Sequence, residues 1–228
     1  MAGWHKKLRI SPAAHSENEV SIYMNILKID NLSKKYNDIQ VIDHFSMELH
    51  SHERIALSGP SGEGKTSLLN IILGINSFDG GSVLKNDNLH YLVVFQDDRL
   101  MPSFNALKNM DVYPSRFAKP LALNILDKLR LSDVGDKPAC EYSGGMSRRL
   151  AIARALYGCL ILHETKPDEP LLLVMDEPYK GLDDALKNNV IEYVDSVLSS
   201  TGATLLLVTH DKKEATALGC DFIKLNRQ

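Results

Sequence analysis

A glycine-rich loop between a short apolar run and a helical run is the feature that most constrains this chain. Residues Gly59, Pro60, Ser61, Gly62, Glu63, Gly64, Lys65 and Thr66 match the pattern G-x-x-x-x-G-K-[ST] in full. The apolar run 54–57 precedes this loop, and leucines and isoleucines at helical spacing follow it as far as residue 73. The sequence therefore predicts a strand, a tight loop and a helix in succession, which is a building unit of parallel α/β folds.

The chemistry of this loop suits the binding of phosphate groups. Consecutive backbone N–H groups at a helix start converge on an anion, and the helix dipole adds partial positive charge. Lys65 supplies a charge to the β- and γ-phosphates, Thr66 offers a hydroxyl to magnesium, and Ser67 follows as a further nucleotide-binding residue. Glu63 is unusual, because a carboxylate facing the ligand would repel it, so we expect it to face away. The loop predicts a site for ATP with Mg²⁺.

The rest of the chain alternates strand-like and helical patterns. Apolar or alternating runs predict strands at residues 25–29, 41–49, 54–57, 91–95, 171–175 and 204–208. Helical periodicity predicts helices at 65–73, 147–157 and 182–198, with a proline-broken helical insertion between 97 and 142 and turns between 80 and 87. Strands that alternate with helices predict a largely parallel sheet with helices on its faces.

Length, charge and cysteine content exclude several classes. We expect one catalytic unit at residues 24–228 after a flexible extension at 1–23, with Met24 as an alternative start. The net charge of -3 argues against a dedicated nucleic-acid partner. Cys140, Cys159 and Cys220 are widely spaced and predict neither a zinc site nor a redox motif. No apolar run approaches the roughly eighteen residues that would span a membrane.

Two adjacent acids follow the most apolar strand of the chain. Asp176 and Glu177 come directly after the run 171–175, at the carboxyl end where open α/β sheets bind ligands. Successive side chains of a strand diverge, so one acid can hold the metal and the other can face the attacking water. We expect Asp176 to hold magnesium and Glu177 to orient or deprotonate the water. An acidic turn after a core strand is the alternative.

Residues 142–149, here called the signature segment, carry the family resemblance. Ser143, Gly144, Gly145 and Met146 open a helical run and could offer a hydroxyl and free N–H groups to a phosphate. This segment strongly resembles the signature sequence of ATP-binding-cassette (ABC) ATPases. The resemblance implies an α/β fold of the P-loop NTPase type, with a mostly parallel sheet, an antiparallel β subdomain and a small helical subdomain at about 97–157. It also implies that the four residues bind the ATP of a partner subunit.

Other residues fall where the resemblance implies family elements. Tyr36 resembles the aromatic residue that stacks on adenine, although a lone tyrosine also suits a core or surface position. Gln96, at a predicted strand end, is similar to the glutamine that contacts magnesium and water. His210, after the run 204–208, is similar to the histidine that touches the γ-phosphate. Residues 181–183 resemble the loop that crosses the dimer interface. Polar strand ends and an ordinary helix start remain the alternatives.

The chain departs from the family pattern at two positions. Met146 stands where glutamine is commonest, and Lys180 stands where serine is usual. The stretch 159–170 is slightly extended and has a charged tip. The pair His50 and His52 is interpreted as a solvated strand end in preference to a metal site. None of these departures removes a predicted catalytic group, although Lys180 affects the expected subunit interface.

The resemblance also implies partners and a location. The signature segment and the phosphate loop lie far apart in one copy of this fold, so the family arrangement implies a head-to-tail dimer with two nucleotides between the subunits. It further implies integral-membrane permease subunits, docked through residues 97–142, with a solute-binding protein acting through the permease. The location implied is the cytoplasmic face of the cell membrane, with peripheral attachment and no nucleic-acid partner.

The segment after the predicted strand 91–95 bears on the subfamily. Residues 95–102, Phe-Gln-Asp-Asp-Arg-Leu-Met-Pro, are similar to the corresponding segment in ATPases of nitrate, sulfonate and taurine importers. The expectation is import of such a small anion. A small exporter or a lipoprotein-release ATPase is the alternative, and a cassette ATPase outside transport is a further one.

Overall fold

The computed structural model describes residues 24–60, 62–113 and 117–225. The extension expected at residues 1–23 and the predicted binding residue Ser61 lie outside these ranges. The strands in chain order are β1 (Asn25–Tyr36), β2 (Ile39–His50), β3 (Arg54–Ser58), β4 (Gly80–Lys85), β5 (His90–Val94), β6 (Leu171–Asp176), β7 (Thr204–Val208) and β8 (Asp221–Lys224). The α-helices are α1 (Lys65–Ile72), α2 (Ala106–Met110), α3 (Lys119–Lys128), α4 (Gly144–Thr165), α5 (Asp184–Thr201) and α6 (Lys212–Ala217).

Two sheets form the framework of the described residues. The larger sheet has the strand order β5-β6-β7-β3-β8, and every adjacent pair in it is parallel. The smaller sheet has the order β2-β1-β4 and is antiparallel, with register shifts along both pairings. The predicted mostly parallel α/β fold with an antiparallel β subdomain is confirmed. The strand order brings the carboxyl ends of β3, β6 and β7 together at one edge of the sheet.

The interior strand β6, between β5 and β7, separates two hydrophobic clusters. All six of its residues are buried. Leu171, Leu173 and Met175 belong to the cluster on the side of the helical segment, whereas Leu172 and Val174 belong to the cluster beneath the antiparallel sheet. A strand that buries both faces needs the continuous apolar run that the sequence has here. This burial fixes the position of the acids that follow the strand.

The segment from residue 97 to residue 142 contains helices α2 and α3 and two 3₁₀ turns, at Ser132–Val134 and Ala139–Glu141. Asn109 is fully buried and holds its first part together, because its Oδ1 accepts from the N–H of Met101 and its Nδ2 donates to three carbonyl oxygens. Helix α3 packs against α4. Within the described ranges, the structure contains no helix that is both long and apolar enough to cross a membrane.

The structure corrects three predictions, which concern a strand, the end of a helix and the burial of a histidine. Strand β4 occupies most of the segment that was read as turns, because Gly81 has φ +88° and a Cβ there would lie 2.4 Å from the carbonyl oxygen of Asn31, so this glycine lets β4 approach β1. Helix α4 runs on to Thr165 and includes much of the stretch that looked like an extension. His50 is buried, not solvated, and pairs with Glu53.

Candidate nucleotide site

The phosphate loop follows β3 directly and ends where α1 begins. Gly64 caps the helix in the left-handed region, with φ +93°. A Cβ at this position would lie 2.7 Å from Cγ1 and 2.8 Å from the carbonyl oxygen of Val41, so both the backbone angle and the space require glycine. The loop therefore packs closely on β2, and the first N–H groups of α1 point out of the helix start, where an anion can accept from them.

The ammonium group of Lys65 lies inside the loop. Its Nζ donates to the carbonyl oxygens of Gly59 and Pro60, each at 2.7 Å, and the residue is 8% exposed. Glu63 folds back on the same loop, because a Cβ built on Gly59 would lie 2.0 Å from its Oε2. The loop of this chain thus holds one buried cation and one carboxylate in contact with its backbone.

A cavity of about 430 Å³ opens beside the loop and is here called the central cavity. It brings together most of the residues that the sequence predicted for the site, and these are Tyr36, Gly62, Gly64, Lys65, Thr66, Ser67, Gln96, Asp176, Glu177 and His210. Val41, Val208 and Lys180 complete its lining and were not predicted as site residues. The predicted residues Gly59, Pro60 and Glu63 are not part of its lining.

Asp176 and Thr66 form the part of the central cavity that suits a divalent cation. The hydroxyl of Thr66 donates to Oδ2 of Asp176 at 3.0 Å, and Asp176 is 5% exposed. Its buried Oδ1 has no hydrogen-bond partner among the described residues. Burial raises the pKa of Asp176, and the hydrogen bond from Thr66 opposes that rise. A buried carboxylate oxygen without a partner, next to a hydroxyl, fits a hard cation such as Mg²⁺.

Glu177 and His210 are in direct contact. Oε2 of Glu177 lies 2.8 Å from Nδ1 of His210, and the backbone N–H of Glu177 donates to the carbonyl oxygen of Val208. Glu177 has φ +49°, in the left-handed region, so the chain turns sharply as it leaves β6. The turn directs the Glu177 carboxylate to the end of β7, while Asp176 stays on the side of Thr66. The distance between Glu177 and His210 in the sequence does not predict this contact.

The signature segment does not line the central cavity. Ser143 is the N-cap of α4, and its Oγ accepts from the N–H of Met146 at 3.3 Å. Ser143 and Gly144 are exposed, whereas Gly145 and Met146 are half-buried. The predicted second anion-binding corner is thus an exposed helix start outside the cavity of its own copy.

Comparisons with known proteins agree with this geometry. The family model described as ABC transporter matches residues 42–180, which is 139 of the 228 residues. The chain belongs to the ABC transporter family. A dimeric bacterial ABC transporter cassette superposes with a TM-score of 0.72 at 24% identity, covering 88% of this chain and 95% of the cassette, which supports the cassette fold.

Curated ABC relatives have different cargoes. The sulfate/thiosulfate import ATP-binding protein of Mesostigma viride is 31% identical over 89% of this chain and 60% of its own length. The Nod factor export ATP-binding protein I of Ralstonia nicotianae is 34% identical, covering 86% and 62%. The spermidine/putrescine import ATP-binding protein of Mannheimia succiniciproducens is 28% identical, covering 89% and 56%. The chain spans about three fifths of the length of these relatives, and none of the three is a nitrate, sulfonate or taurine protein.

Tyr36, the candidate adenine-stacking residue of this ABC chain, lies at the edge of the central cavity. It is 41% exposed, and its hydroxyl accepts from Nδ2 of Asn76 at 3.0 Å. The ammonium of Lys34 lies 5.3 Å from the centre of its ring. The ring is therefore held at its hydroxyl end while much of it remains open to solvent, as a stacking surface requires.

Two arginines of α4 hold the loop that carries Gln96, and sequence reasoning missed both. Arg148 donates to the carbonyl oxygens of Phe95 and Gln96, at 2.8 and 2.5 Å, and pairs with Asp98 at 3.0 Å. Arg154 donates to the carbonyl oxygens of Asp98 and Arg99. Gln96 thus reaches the central cavity from a loop that is fixed to the helix of the signature segment. The available sequence signal for this contact was the presence of two arginines, six residues apart, on one predicted helix.

Proposed function

We propose that this chain is the ATP-binding and ATP-hydrolysing subunit of an ABC transporter. The observation that carries the proposal is the arrangement of the central cavity. One wall has the phosphate loop with Lys65, and the other has a buried acid bonded to Thr66 and a second acid bonded to His210. Together these groups provide a phosphate cradle, a site for a hard cation and a base with an orienting partner, which are the parts that nucleotide hydrolysis requires.

The residues have separate roles in this proposal. The loop N–H groups and Lys65 bind the β- and γ-phosphates, and Tyr36 stacks on the adenine. Thr66, Gln96 and Asp176 would hold Mg²⁺, which would supply positive charge to offset the negative charge of the phosphates. Glu177 accepts the proton of the attacking water.

His210 holds the carboxylate of Glu177 through their contact and lies where it can meet the γ-phosphate. Histidine suits this position, because its ring has two nitrogens, and Nε2 can face a phosphate oxygen while Nδ1 faces the acid. A histidine donates from both nitrogens only when its ring is protonated.

The active form is proposed to be a head-to-tail dimer of two copies. The exposed start of α4, at Ser143, Gly144, Gly145 and Met146, offers N–H groups and a hydroxyl to the terminal phosphate bound by the partner copy. A monomer should then be nearly inactive. Permease subunits are proposed to dock at residues 97–142 and hold the dimer at the cytoplasmic face of the membrane, with a solute-binding protein acting through the permease.

The proposed cargo is a small anion such as nitrate, sulfonate or taurine, supported by the similarity of residues 95–102 to the corresponding segment in importers of those anions. A second candidate is export, because one of the most similar relatives is an export ATP-binding protein at 34% identity. Purification from membranes would separate the two, because co-purification with a permease that recruits a solute-binding protein indicates import.

The hydrolytic base is tested with Glu177→Gln. The variant should bind ATP normally, hydrolyse it at least a hundredfold more slowly and accumulate as a nucleotide-bound dimer, because the amide cannot accept the proton. Hydrolysis is measured by phosphate release and assembly by light scattering. Turnover at the wild-type rate would show that Glu177 is not the base.

The composite site is tested with Ser143→Arg. The substitution removes the N-cap hydrogen bond to Met146, at a cost of about 1 kcal/mol. Because the side chain is exposed, the fold and the nucleotide affinity of the monomer should nevertheless be retained while hydrolysis is abolished. Equal amounts of Ser143→Arg and Glu177→Gln protein should recover part of the activity, because a mixed dimer has one site with neither substitution. Unchanged hydrolysis by Ser143→Arg alone would exclude the two-subunit site.

A further inference from the structure

We propose that the ammonium group of Lys180 is a second cationic ligand for the terminal phosphate of the nucleotide in the central cavity. This inference rests on the proposed function, because it assigns a further binding residue to the same site. Lys180 lines the central cavity together with Lys65, Glu177 and His210. It stands where the family usually has serine, so the family pattern does not supply this role.

The backbone of Lys180 sits on a well-anchored turn. Its N–H donates to the carbonyl oxygen of Glu177 at 3.3 Å, and the N–H of Leu182 donates to the carbonyl oxygen of Tyr179 at 3.2 Å. Tyr179, the neighbour of Lys180, is 2% exposed and packs in the core. A buried neighbour and two backbone hydrogen bonds fix the origin of the side chain, so the flexible part of Lys180 is its own methylene stem.

The charges of the central cavity make a second cation useful. Asp176 and Glu177 contribute two carboxylates to the lining, whereas Lys65 and Lys180 contribute the two lysine cations. Without Lys180, the other three residues would have a negative net charge, at a place where a nucleotide brings several more negative charges. Glu63 adds a further carboxylate in contact with the loop at Gly59. Lys180 therefore adds positive charge to a cavity whose acids and ligand are negative.

The ammonium of Lys180 is available for a ligand. Among the residues that the structure describes, no ion pair and no side-chain hydrogen bond involves its Nζ. Lys187 gives the contrast in the same region, because its Nζ lies within 3.6 Å of carboxylate oxygens of Asp184, Asp211 and Glu214. A lysine that lines an anion-binding cavity without an acidic partner has its full charge free for a phosphate oxygen.

The terminal phosphate is the target because of the neighbours of Lys180. Its backbone is bonded to Glu177, and the carboxylate of Glu177 contacts His210 at the end of β7. These are the groups that the proposed function places around the γ-phosphate and the attacking water. Lys65, in contrast, projects from the start of α1 beneath the loop. The two lysines thus belong to different elements of the lining, with Lys65 at the start of α1 and Lys180 on the turn after β6.

The test compares the affinities of the full chain for ATP and for ADP by calorimetry, in EDTA so that hydrolysis does not occur. Lys180→Met keeps the length of the stem and removes the charge. It should weaken ATP binding about tenfold and ADP binding less than about threefold, as expected for one charge-assisted contact at a half-open site. Lys180→Arg should retain most of the ATP affinity. Added salt should reduce the difference between Lys180→Met and wild type, because it screens an exposed charge.

The matched control is Lys128→Met, which removes an exposed lysine from the end of α3, outside the central cavity, and should change neither affinity. Circular dichroism melts establish that all variants fold. Equal ATP affinity of Lys180→Met and wild type, or equal losses for ATP and ADP, would overturn the role of Lys180. Failure of the wild-type chain to bind ATP both in EDTA and with Mg²⁺ present would instead overturn the proposed function itself.

Discussion

The contact between Arg148 and the loop at Gln96 allows a quantitative prediction for the variant Arg148→Met. Methionine keeps the apolar stem of Arg148 but removes a guanidinium that donates to two carbonyl oxygens and forms an ion pair with the carboxylate of Asp98. Breaking a buried ion pair by removing one partner costs about 3–5 kcal/mol. The side chains of Arg148 and Asp98 retain 10% and 20% exposure, so water can reach part of the site and a loss of about 2 kcal/mol is expected.

For a chain of this size, that loss corresponds to a fall in Tm of about 4–8 °C. Differential scanning calorimetry measures it, and Arg148→Lys should recover part of it by retaining the pair with Asp98. The control is Lys28→Met, which breaks the ion pair with Glu48, where the side chains are 43% and 34% exposed. That variant should lower Tm by less than about 2 °C. A loss for Arg148→Met no larger than for Lys28→Met would refute the reasoning.

Three further predictions concern packing, titration and the phosphate loop. Gly158→Ala should lower Tm although alanine favours helices, because the new Cβ would lie 2.3 Å from the ring of Tyr113 and 2.7 Å from Leu92. Such overpacking costs about 1–3 kcal/mol, and a higher Tm would contradict this prediction. Burial raises the pKa of Glu214 above 4.5, so the folded protein binds this proton more tightly than the unfolded chain and loses stability as pH rises through that pKa. The Tm of Glu214→Gln relative to wild type should therefore increase between pH 4.5 and pH 8, and a flat difference would exclude the linkage. Glu63→Ser should tighten ATP binding by at most a few-fold in calorimetry, and a large loss of affinity would show that the carboxylate supports the loop.

The parts of the fold that the sequence predicted well depend on local patterns. The apolar run at 171–175 identified a strand buried on both faces, and β6 has that position as an interior strand between β5 and β7. The phosphate loop pattern placed the start of α1 correctly at Lys65. Because α1 begins and β6 ends at the same edge of a parallel sheet, the contact between Thr66 and Asp176 follows from the topology.

The parts that were missed depend on contacts between segments distant in sequence. Strand β4 begins with two glycines, which favour turns locally, and only the close approach to β1 explains them. Strand β8 is four residues long, mostly exposed and at an edge of the sheet, so its sequence has no hydrophobic pattern that would predict a strand. The contact of Glu177 with His210 requires a left-handed backbone at Glu177 and a fixed register between β6 and β7. No local pattern in a single sequence predicts either of these features.

Helix α4 connects two features of the site that the sequence presented as separate motifs. It begins at the exposed corner capped by Ser143, and one turn later Arg148 holds the carbonyl of Gln96. Because an α-helix is stiff over this distance, a displacement of the corner relative to the sheet also displaces the loop that brings Gln96 into the central cavity. Arg148→Met breaks this connection without changing the corner or any residue of the cavity lining. If the connection serves catalysis, the variant should lose kcat while keeping its affinity for ATP, whereas loss of stability alone would leave kcat of the folded fraction unchanged.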